Sequence, residues 1–324
     1  MQTIADQLAM LHSDGVELDL PQLLHYRHAS QLLDLTPRQN IQSKLAGTYL
    51  AKTKGRGMEF DEVRHYQNGD DVRTIDWRVT ARTGKVHTKL YREEKERPVF
   101  VLSDLSPNMF LGSKLLLKSV QVAHIASAIG WHAKARGDKF GGIIFNGDKI
   151  RELKPASRHT GVLRYLHQLV LMHKTVAEEA QPAEIQLADA LGQLRQLCRP
   201  GSLIYVLSDF STLTPLCWRH LQSLRQHNEV QLVQVTDPLD HQLPPSARAA
   251  LRVRDPHGMV MADLADPMLH QNYAQSRAQQ QAALEQQCRS LGLKLLEISA
   301  DSPLSVQLKQ SLVSALGSSH ASRP

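Results

Sequence analysis

Residues 99–106 read VFVLSDLS, and residues 203–209 read LIYVLSD. Each stretch is a short apolar run that ends directly in Ser-Asp. Apolar runs of this length are typical of strands that are buried on both faces of a parallel sheet. Longer amphipathic segments separate such runs from residue 98 onward, so strands alternate with helices. The pattern predicts an α/β fold with a mostly parallel sheet, helices on both faces and right-handed crossovers.

The alternation extends over residues 98–316, which we predict to form one α/β domain. The predicted strands are 99–102, 140–145, 149–153, 203–207, 230–235 and 293–298. The predicted helices are 114–135, 161–172, 185–198, 215–227 and a polar helix at 265–291. Residues 251–261 interrupt the alternation with two short β-like runs around an Asp-Pro-His-Gly turn, which indicates a hairpin.

Two segments precede this domain and one follows it. Residues 1–46 carry leucines at three- and four-residue spacing and predict an N-terminal helical segment. Residues 47–97 form a charged segment with 12 Lys/Arg and 9 Asp/Glu. Residues 317–324 predict a disordered tail.

The composition of the 324-residue chain argues against several classes of protein. Hydrophobic residues make up 42% and charged residues 22%, as in ordinary globular proteins. No apolar run approaches the length of a transmembrane helix, and the first 20 residues carry four carboxylates and no Lys or Arg, unlike a secretory signal. Three scattered cysteines fit a reducing compartment. We therefore expect a cytoplasmic protein without a transmembrane segment.

The net charge of +6 raises the question of nucleic-acid binding. A nucleic-acid groove has one sign of charge with interleaved aromatic residues. The charged segment mixes both signs and contains no clean basic run, so no nucleic-acid partner is expected.

The two repeated strand ends are the best candidates for chemistry. Ligands of open α/β sheets bind at the carboxyl ends of strands. If the two strands are neighbours, Asp104 and Asp209 meet at one edge with Ser106 beside them, and such oxygen ligands suit Mg²⁺ or Mn²⁺. The alternative is that both aspartates cap the helices that follow. No phosphate-binding loop, HExxH or GxSxG motif is present.

The charged segment carries a recognisable set of motifs: GRGMEF at 55–60, RHY at 64–66, GDDVRTIDW at 69–77 and AR at 81–82. This set resembles the signature of the bacterial domain-of-unknown-function family number 58, and the resemblance covers roughly residues 40–300. It implies a von Willebrand factor A-like, Rossmann-like domain preceded by the charged signature segment. Members often lie beside a MoxR-type AAA+ ATPase and other von Willebrand-type proteins, which implies these proteins as partners.

The resemblance also implies a metal-ion-dependent adhesion site, whose pattern is Asp-x-Ser-x-Ser, a distant Thr and a later Asp. Asp104 and Ser106 match the first two positions, and Asp209 matches the later Asp. Asn108 stands in place of the second Ser, and Gln186 lies near the position expected for the Thr. Amide oxygens can bind a cation, but Mg²⁺ demands near-octahedral geometry. A degenerate site for Mg²⁺ or Mn²⁺ is thus one alternative, and a domain that binds no metal is the other.

The signature residues have two interpretations, which can hold together. In the structural one, their charges form ion-pair networks and Trp77 is a buried anchor. In the functional one they form a partner-binding surface, because Arg and Trp are typical anchors of interfaces. The signature residues are Arg56, Glu59, Arg64, Tyr66, Asp70, Asp71, Arg73, Asp76, Trp77 and Arg82.

The sequence therefore predicts a non-enzymatic adaptor or co-chaperone that binds a MoxR-type AAA+ ATPase. One alternative is a divalent-metal-dependent phosphoester hydrolase that uses Asp104 and Asp209, although no general base is apparent. The other alternative is a metal-free structural domain.

Overall fold

A computed structural model describes residues 3–29, 58–67, 70–93, 97–175, 185–244, 250–255 and 258–308. The chain divides into two compact units, which are residues 1–35 with 97–324, here called the sheet unit, and residues 36–96, here called the signature unit. The helices are α1 (Ile4–Leu11), α2 (Leu20–Leu24), α3 (Tyr26–Ala29), α4 (Trp77–Thr83), α5 (Lys118–Ala135), α6 (Arg158–Lys174), α7 (Leu187–Leu197), α8 (Pro215–His227), α9 (Pro238–His241) and α10 (Pro267–Ser290). The strands are β1 (Met58–His65), β2 (His87–Glu93), β3 (Pro98–Asp104), β4 (Lys139–Phe145), β5 (Ile150–Ala156), β6 (Leu203–Ser208), β7 (Glu229–Thr236), β8 (Ala250–Asp255), β9 (Gly258–Asp263) and β10 (Lys294–Ser299).

The sheet unit is built on a six-stranded sheet with the strand order β10-β7-β6-β3-β4-β5. Every neighbouring pair is parallel except β4 with β5, which is antiparallel. The first strand of the domain, β3, is central, and the chain winds outward from it in both directions, as in doubly wound sheets. The predicted α/β architecture, a mostly parallel sheet flanked by helices, is confirmed.

Two hydrophobic cores lie on the two faces of this sheet, because successive side chains of a strand point to opposite faces. In β3, Val99 and Val101 pack into the core under α5 and α6. Phe100 and Leu102 pack into the other core, with α7, α8 and the end of α10. This double burial explains why the β3 run is continuously apolar.

The predicted helix at 114–135 begins four residues later than expected, at Lys118. The reason is that the preceding backbone bonds to other segments instead of to a helix. The amide of Leu116 donates to the carbonyl oxygen of Ala300 at 3.1 Å, and the amide of Leu117 donates to that of Gly15 at 2.8 Å. The apolar run before Lys118 therefore anchors the start of α5.

The described part of the predicted N-terminal helical segment contains α1, α2 and α3. It packs within the sheet unit, where the hydroxyl of Ser127 on α5 donates to the carbonyl oxygen of Leu23 at 2.6 Å. The rest of the predicted segment, and the predicted tail at 317–324, lie outside the described residues.

The remaining predicted elements also form. The predicted hairpin is the antiparallel pair β8 and β9, and the predicted polar helix is α10. In the signature unit, β1 and β2 form an antiparallel ribbon, and α4 begins after its cap residue Asp76. Within the described ranges, no helix is long and apolar enough to cross a membrane.

Candidate functional site

The carboxyl edge of the central strands gathers the two strand-end motifs. Strands β3 and β6 are neighbours, with Ser103 paired to Leu207, so Asp104 and the Ser208-Asp209 pair lie side by side. One Asp104 oxygen, Oδ1, accepts from the amide of Ser106 at 2.9 Å, and the other, Oδ2, accepts from the hydroxyl of Ser208 at 2.6 Å. The expectation that the two aspartates meet at one edge agrees with this arrangement.

Asp104 is a buried carboxyl with an unusual titration. Its burial, together with the negative charge of Asp209, raises the pKa of Asp104 to about 6. Hydrogen bonds from Ser106 and Ser208 act in the opposite direction but do not cancel the effect. A positive charge nearby would stabilise the ionised form of such a carboxyl.

A buried lysine supplies positive charge to the adjacent aspartate. The Nζ atom of Lys118, in the first turn of α5, lies 3.0 Å from Oδ2 of Asp209 and 3.1 Å from Oδ2 of Asp240. Arg277 of α10 binds the other oxygen of Asp240, Oδ1, at 3.3 Å. These four side chains, here called the Lys118 cluster, join the first turn of α5, the connection after β6, α9 and α10.

Lys118 itself is only 2% exposed. Desolvation alone would lower its pKa, but the charges of Asp209 and Asp240 outweigh that effect and raise the pKa of Lys118 above its ordinary value. The side chain is therefore an ammonium ion throughout the physiological pH range, and the cluster contains a fixed positive charge.

A cavity of about 90 Å³ opens beside this cluster. Its lining includes Asp209, Ser211, Asp240, His241 and Arg277. Water and small ions can therefore approach the two carboxylates from this side.

The loop after β6 has a strained backbone. Phe210 has φ of +57°, a left-handed conformation that bulky residues rarely adopt. Its amide donates to Ser208 Oγ at 3.2 Å, and the neighbouring Asp209 accepts two hydrogen bonds from Ser211, from its amide at 2.9 Å and from its hydroxyl at 2.8 Å. Ser211 thus holds one oxygen of Asp209 while the other contacts Lys118, and unusual backbone of this kind is concentrated at functional sites.

The other predicted metal ligands have different surroundings. The side-chain amide of Asn108 donates to Ser211 Oγ at 3.3 Å, which places Asn108 beside the same loop. Gln186 is exposed at the start of α7, where its backbone amide donates to Asp189 Oδ2 at 2.9 Å. In the described part of the chain, no hydrogen bond links Gln186 to the other four predicted ligands. Four of the five residues are thus close neighbours, and Gln186 acts at a helix end.

A second polar pair lies deep in the sheet unit. Ser119 Oγ and His173 Nε2 are 3.1 Å apart, and both residues are buried. Burial is the largest cause that lowers the pKa of His173 to about 4, so this imidazole is neutral at pH 7. The pair ties α5 to α6 in the core, and we assign it a structural role.

In the signature unit, the three signature aspartates bond to nearby backbone amides. Asp76 caps α4 by accepting from the amides of Arg78 and Val79, and Asp71 caps a short 3₁₀ helix. Arg64 and Asp70 form an ion pair of 2.7 Å, and Tyr66 donates to the carbonyl oxygen of Asp70.

These contacts also affect the titration of two carboxyls. Backbone hydrogen bonds are the largest cause that holds the pKa values of Asp70 and Asp76 below the ordinary value. Glu59 lies in β1 opposite Arg92, and Arg56 lies outside the described residues.

Trp77 is not the buried anchor that the structural interpretation requires. It is the first residue of α4 and is 69% exposed. The side chain of Asp76 caps α4, so the Trp77 indole is not needed for capping. Arg73 and Arg82 are exposed as well. Among the described signature residues, Arg64 and Asp70 form an ion pair, Asp71 and Asp76 act mainly as helix caps, and the prediction of a buried Trp77 is wrong.

Comparison with known proteins places this geometry in a family. A family model described as "Protein of unknown function DUF58" matches residues 62–283. The chain belongs to this family. It is 31% identical over 276 residues to the uncharacterized protein Rv1480 of Mycobacterium tuberculosis, and the match covers 84% of each chain. The uncharacterized protein Mb1516 of Mycobacterium bovis matches to the same extent.

Solved structures resemble this DUF58 chain at low identity. The conserved hypothetical protein BatB from Bacteroides thetaiotaomicron matches at 14% identity with a TM-score of 0.40, over 68% of this chain and 99% of that one. A von Willebrand factor type A protein from Catenulispora acidiphila matches at 12% identity with a TM-score of 0.30, over 59% and 44%. Because both scores are low, the fold assignment rests on the strand order of the sheet.

The Lys118 cluster decides whether a divalent cation fits the edge of this DUF58 protein. The oxygen donors that the resemblance implies are partly in place, since Asp104, Ser106 and Asp209 lie together. The Lys118 ammonium, however, already binds Oδ2 of Asp209 at 3.0 Å. A divalent ion bound to the same carboxylate would be repelled by the Nζ charge, because like charges a few ångströms apart repel by several kcal/mol at the effective dielectric constant of a protein. With Lys118 present, the donor set does not fit Mg²⁺ or Mn²⁺.

Sequence reasoning missed the cation and its second partner, although part of the signal was available. Thr236-Asp237 stands at the end of β7 in the same way that Ser-Asp stands at the ends of β3 and β6, and Asp240 follows three residues later. This third strand end could have been read as a further member of the edge. Lys118 gave a weaker signal, namely one lysine at the end of the apolar run at 115–117.

Proposed function

We propose that this DUF58 protein is a non-enzymatic protein-interaction adaptor or co-chaperone that works with a MoxR-type AAA+ ATPase. The observation that carries the proposal is the exposed Trp77 at the start of α4. Arginine and tryptophan are the residues that most often dominate the binding energy of interfaces. An exposed Trp among exposed arginines is better suited to recognition than to stability.

The surface that we assign to the partner is residues 72–82, here called the Trp77 segment. It carries Arg73, Arg78 and Arg82, all exposed, against one carboxylate, Asp76. That carboxylate is engaged by the helix cap and by Lys89 at 3.5 Å. The outward charge of the segment is therefore positive, and an acidic surface with an apolar pocket for the indole would complement it.

The choice of partner and compartment rests on the family resemblance and on composition. The signature motifs resemble those of proteins that lie beside MoxR-type ATPases, and we propose such an ATPase as the occupant of the Trp77 segment. Three free cysteines, Cys198, Cys217 and Cys288, agree with a cytoplasmic location, which we propose along with the partner.

Affinity co-purification from the native cell tests this function. The bait is the full chain, with ATP or ADP present throughout, and bound proteins are identified by mass spectrometry. We expect an AAA+ ATPase to be enriched in one nucleotide state, and to be lost from a Trp77→Ala bait. A Met268→Ala bait is the matched control, because Met268 is 65% exposed but lies on α10 of the sheet unit. Recovery of no ATPase in either nucleotide state would contradict the proposal.

The two alternatives from the sequence predict different results. A phosphoester hydrolase would turn over generic phosphoesters and lose that activity in Asp104→Asn. The geometry gives this reading little support, because Asp104 is buried and both of its oxygens already accept hydrogen bonds. A purely structural domain would bind no ATPase, and Trp77→Ala would behave like the wild type in every assay.

A further inference from the structure

We infer that the Lys118 ammonium takes the place of a divalent cation at the carboxyl edge of the sheet, so that this edge works without metal. The inference rests on a juxtaposition that the sequence does not show. Lys118, Asp209 and Asp240 come from three separate parts of the chain and converge within 3.1 Å at one buried nitrogen. It is independent of the proposed function, because the Trp77 segment belongs to the other unit.

Asp209 uses both of its carboxylate oxygens in contacts within the chain. Oδ2 accepts from Lys118 at 3.0 Å, and Oδ1 accepts two hydrogen bonds from Ser211. A carboxylate oxygen has two lone pairs, so Oδ1 is fully used. A metal could therefore bind only at the second lone pair of Oδ2, directly beside the ammonium.

Asp240 is likewise surrounded by donors from within the chain. Its Oδ2 accepts from Lys118 at 3.1 Å and from the amide of Asp237 at 2.9 Å, while Arg277 binds Oδ1 at 3.3 Å. Two cations and a backbone amide therefore surround this carboxylate. Asp240 is neutralised from within the chain and offers no unpaired charge to a metal.

The carboxyl edge of the sheet contains more carboxylates than cations. Two cations, Lys118 and Arg277, are set against Asp104, Asp209 and Asp240. Asp237, which follows β7, is also buried and accepts from the amides of Ser113 and Leu239. Asp237 and Asp104 are not paired with these cations. Backbone amides and the Ser208 hydroxyl donate hydrogen bonds to them instead.

Two carboxylates of the cluster, Asp209 and Asp240, line the cavity. The cavity beside Asp209 and Asp240 gives small ions a route to both carboxylates. If the lysine were removed, these two carboxylates and the Ser211 hydroxyl would present oxygen ligands of the kind that Mg²⁺ and Mn²⁺ prefer. Removal of the internal cation should therefore create a metal site that the wild type lacks.

The test is a titration of the full chain with MgCl₂ and MnCl₂, followed by calorimetry and by thermal melting. For the wild type we expect no saturable heat, and the same melting temperature in EDTA and in millimolar Mn²⁺. For Lys118→Met we expect Mn²⁺ to raise the melting temperature by about 5 to 10 °C at a hundred times the dissociation constant. Adding Asp209→Asn to Lys118→Met should abolish that response.

The controls keep every outcome decisive. Lys114→Met removes a lysine that is 57% exposed and lies just before α5, and it should stay indifferent to metal. If Lys118→Met does not fold in EDTA, it is refolded with Mn²⁺, where recovery of the native circular dichroism supports the inference and no recovery contradicts it. A wild-type chain that binds Mg²⁺ or Mn²⁺ through Asp104 and Asp209 would overturn it, as would a folded Lys118→Met that ignores Mn²⁺.

Discussion

Replacing Lys118 by methionine should destabilise the sheet unit far more than replacing an exposed lysine. Methionine keeps most of the volume of the side chain, so the change removes the charge with little change in packing. The Lys118 side chain is 2% exposed, and those of its partners Asp209 and Asp240 are 10% and 16% exposed. The variant would leave Asp209 as a largely buried carboxylate without its cation.

The magnitude follows from the partners that remain. Removing one member of a buried ion pair costs about 3–5 kcal/mol, because the other charge stays buried. Asp240 keeps Arg277 at 3.3 Å, so the loss is concentrated on Asp209. We therefore expect about 3 kcal/mol, which corresponds to a fall in melting temperature of about 6 to 12 °C for a unit of this size.

Urea unfolding followed by circular dichroism measures this free energy. Lys114→Met is the control, because Lys114 pairs with Asp301 at 3.5 Å on the surface and should contribute at most about 1 kcal/mol. The double variant Lys118→Met/Asp209→Asn should be more stable than Lys118→Met alone, since it removes the stranded charge. Equal losses for Lys118→Met and Lys114→Met, or a double variant that is worse than the single one, would refute the reasoning.

Three further predictions concern pH and capping. The pKa of about 6 for Asp104 means that, between about pH 4 and 6, the folded chain keeps a proton that the unfolded chain loses. The free energy of unfolding should therefore fall by about 3 kcal/mol over this range. Asp104→Asn should abolish this decline in urea unfolding, and an unchanged pH dependence would contradict the prediction. The pKa of about 4 for His173 is lower than in the unfolded chain, so the free energy of unfolding should fall by about 3 kcal/mol as pH drops from about 6.5 to 4. His173→Gln should remove this dependence on pH. An unaltered dependence would be inconsistent with a neutral buried imidazole. Asp76→Ala removes the cap of α4 and should cost about 1 kcal/mol, seen as faster amide exchange in α4, whereas unchanged exchange would show that the cap is dispensable.

Much of the fold could be predicted from the sequence because its strands are buried on both faces. Continuous apolar runs such as those at 99–102 and 203–207 can occupy few other places in a protein. The shared Ser-Asp ending also allowed Asp104 and Asp209 to be placed at one edge, since β3 and β6 are neighbours in the sheet. The strand predicted at 149–153 forms as β5, but its antiparallel pairing with β4 could not be predicted, because its half-exposed pattern carries no signal of strand direction.

The character of the edge could not be predicted, because it depends on contacts between distant parts of the chain. Lys118 meets Asp209 across 91 positions and Asp240 across 122, and no local pattern encodes such pairings. Trp77 was expected to be buried in the structural interpretation, but it is exposed. A tryptophan is more often buried than exposed, but a seven-residue helix in the small signature unit leaves its first side chain on the surface.

The most direct test of the central claim is a binding titration between the purified full-length protein and the purified MoxR-type ATPase of the same organism, in ATP and in ADP. We predict saturable association with a micromolar or tighter dissociation constant in one nucleotide state. Trp77→Ala should weaken it tenfold or more, about 1.4 kcal/mol, whereas Met268→Ala should leave it unchanged. No association in either state, or equal affinity for wild type and Trp77→Ala, would contradict the account.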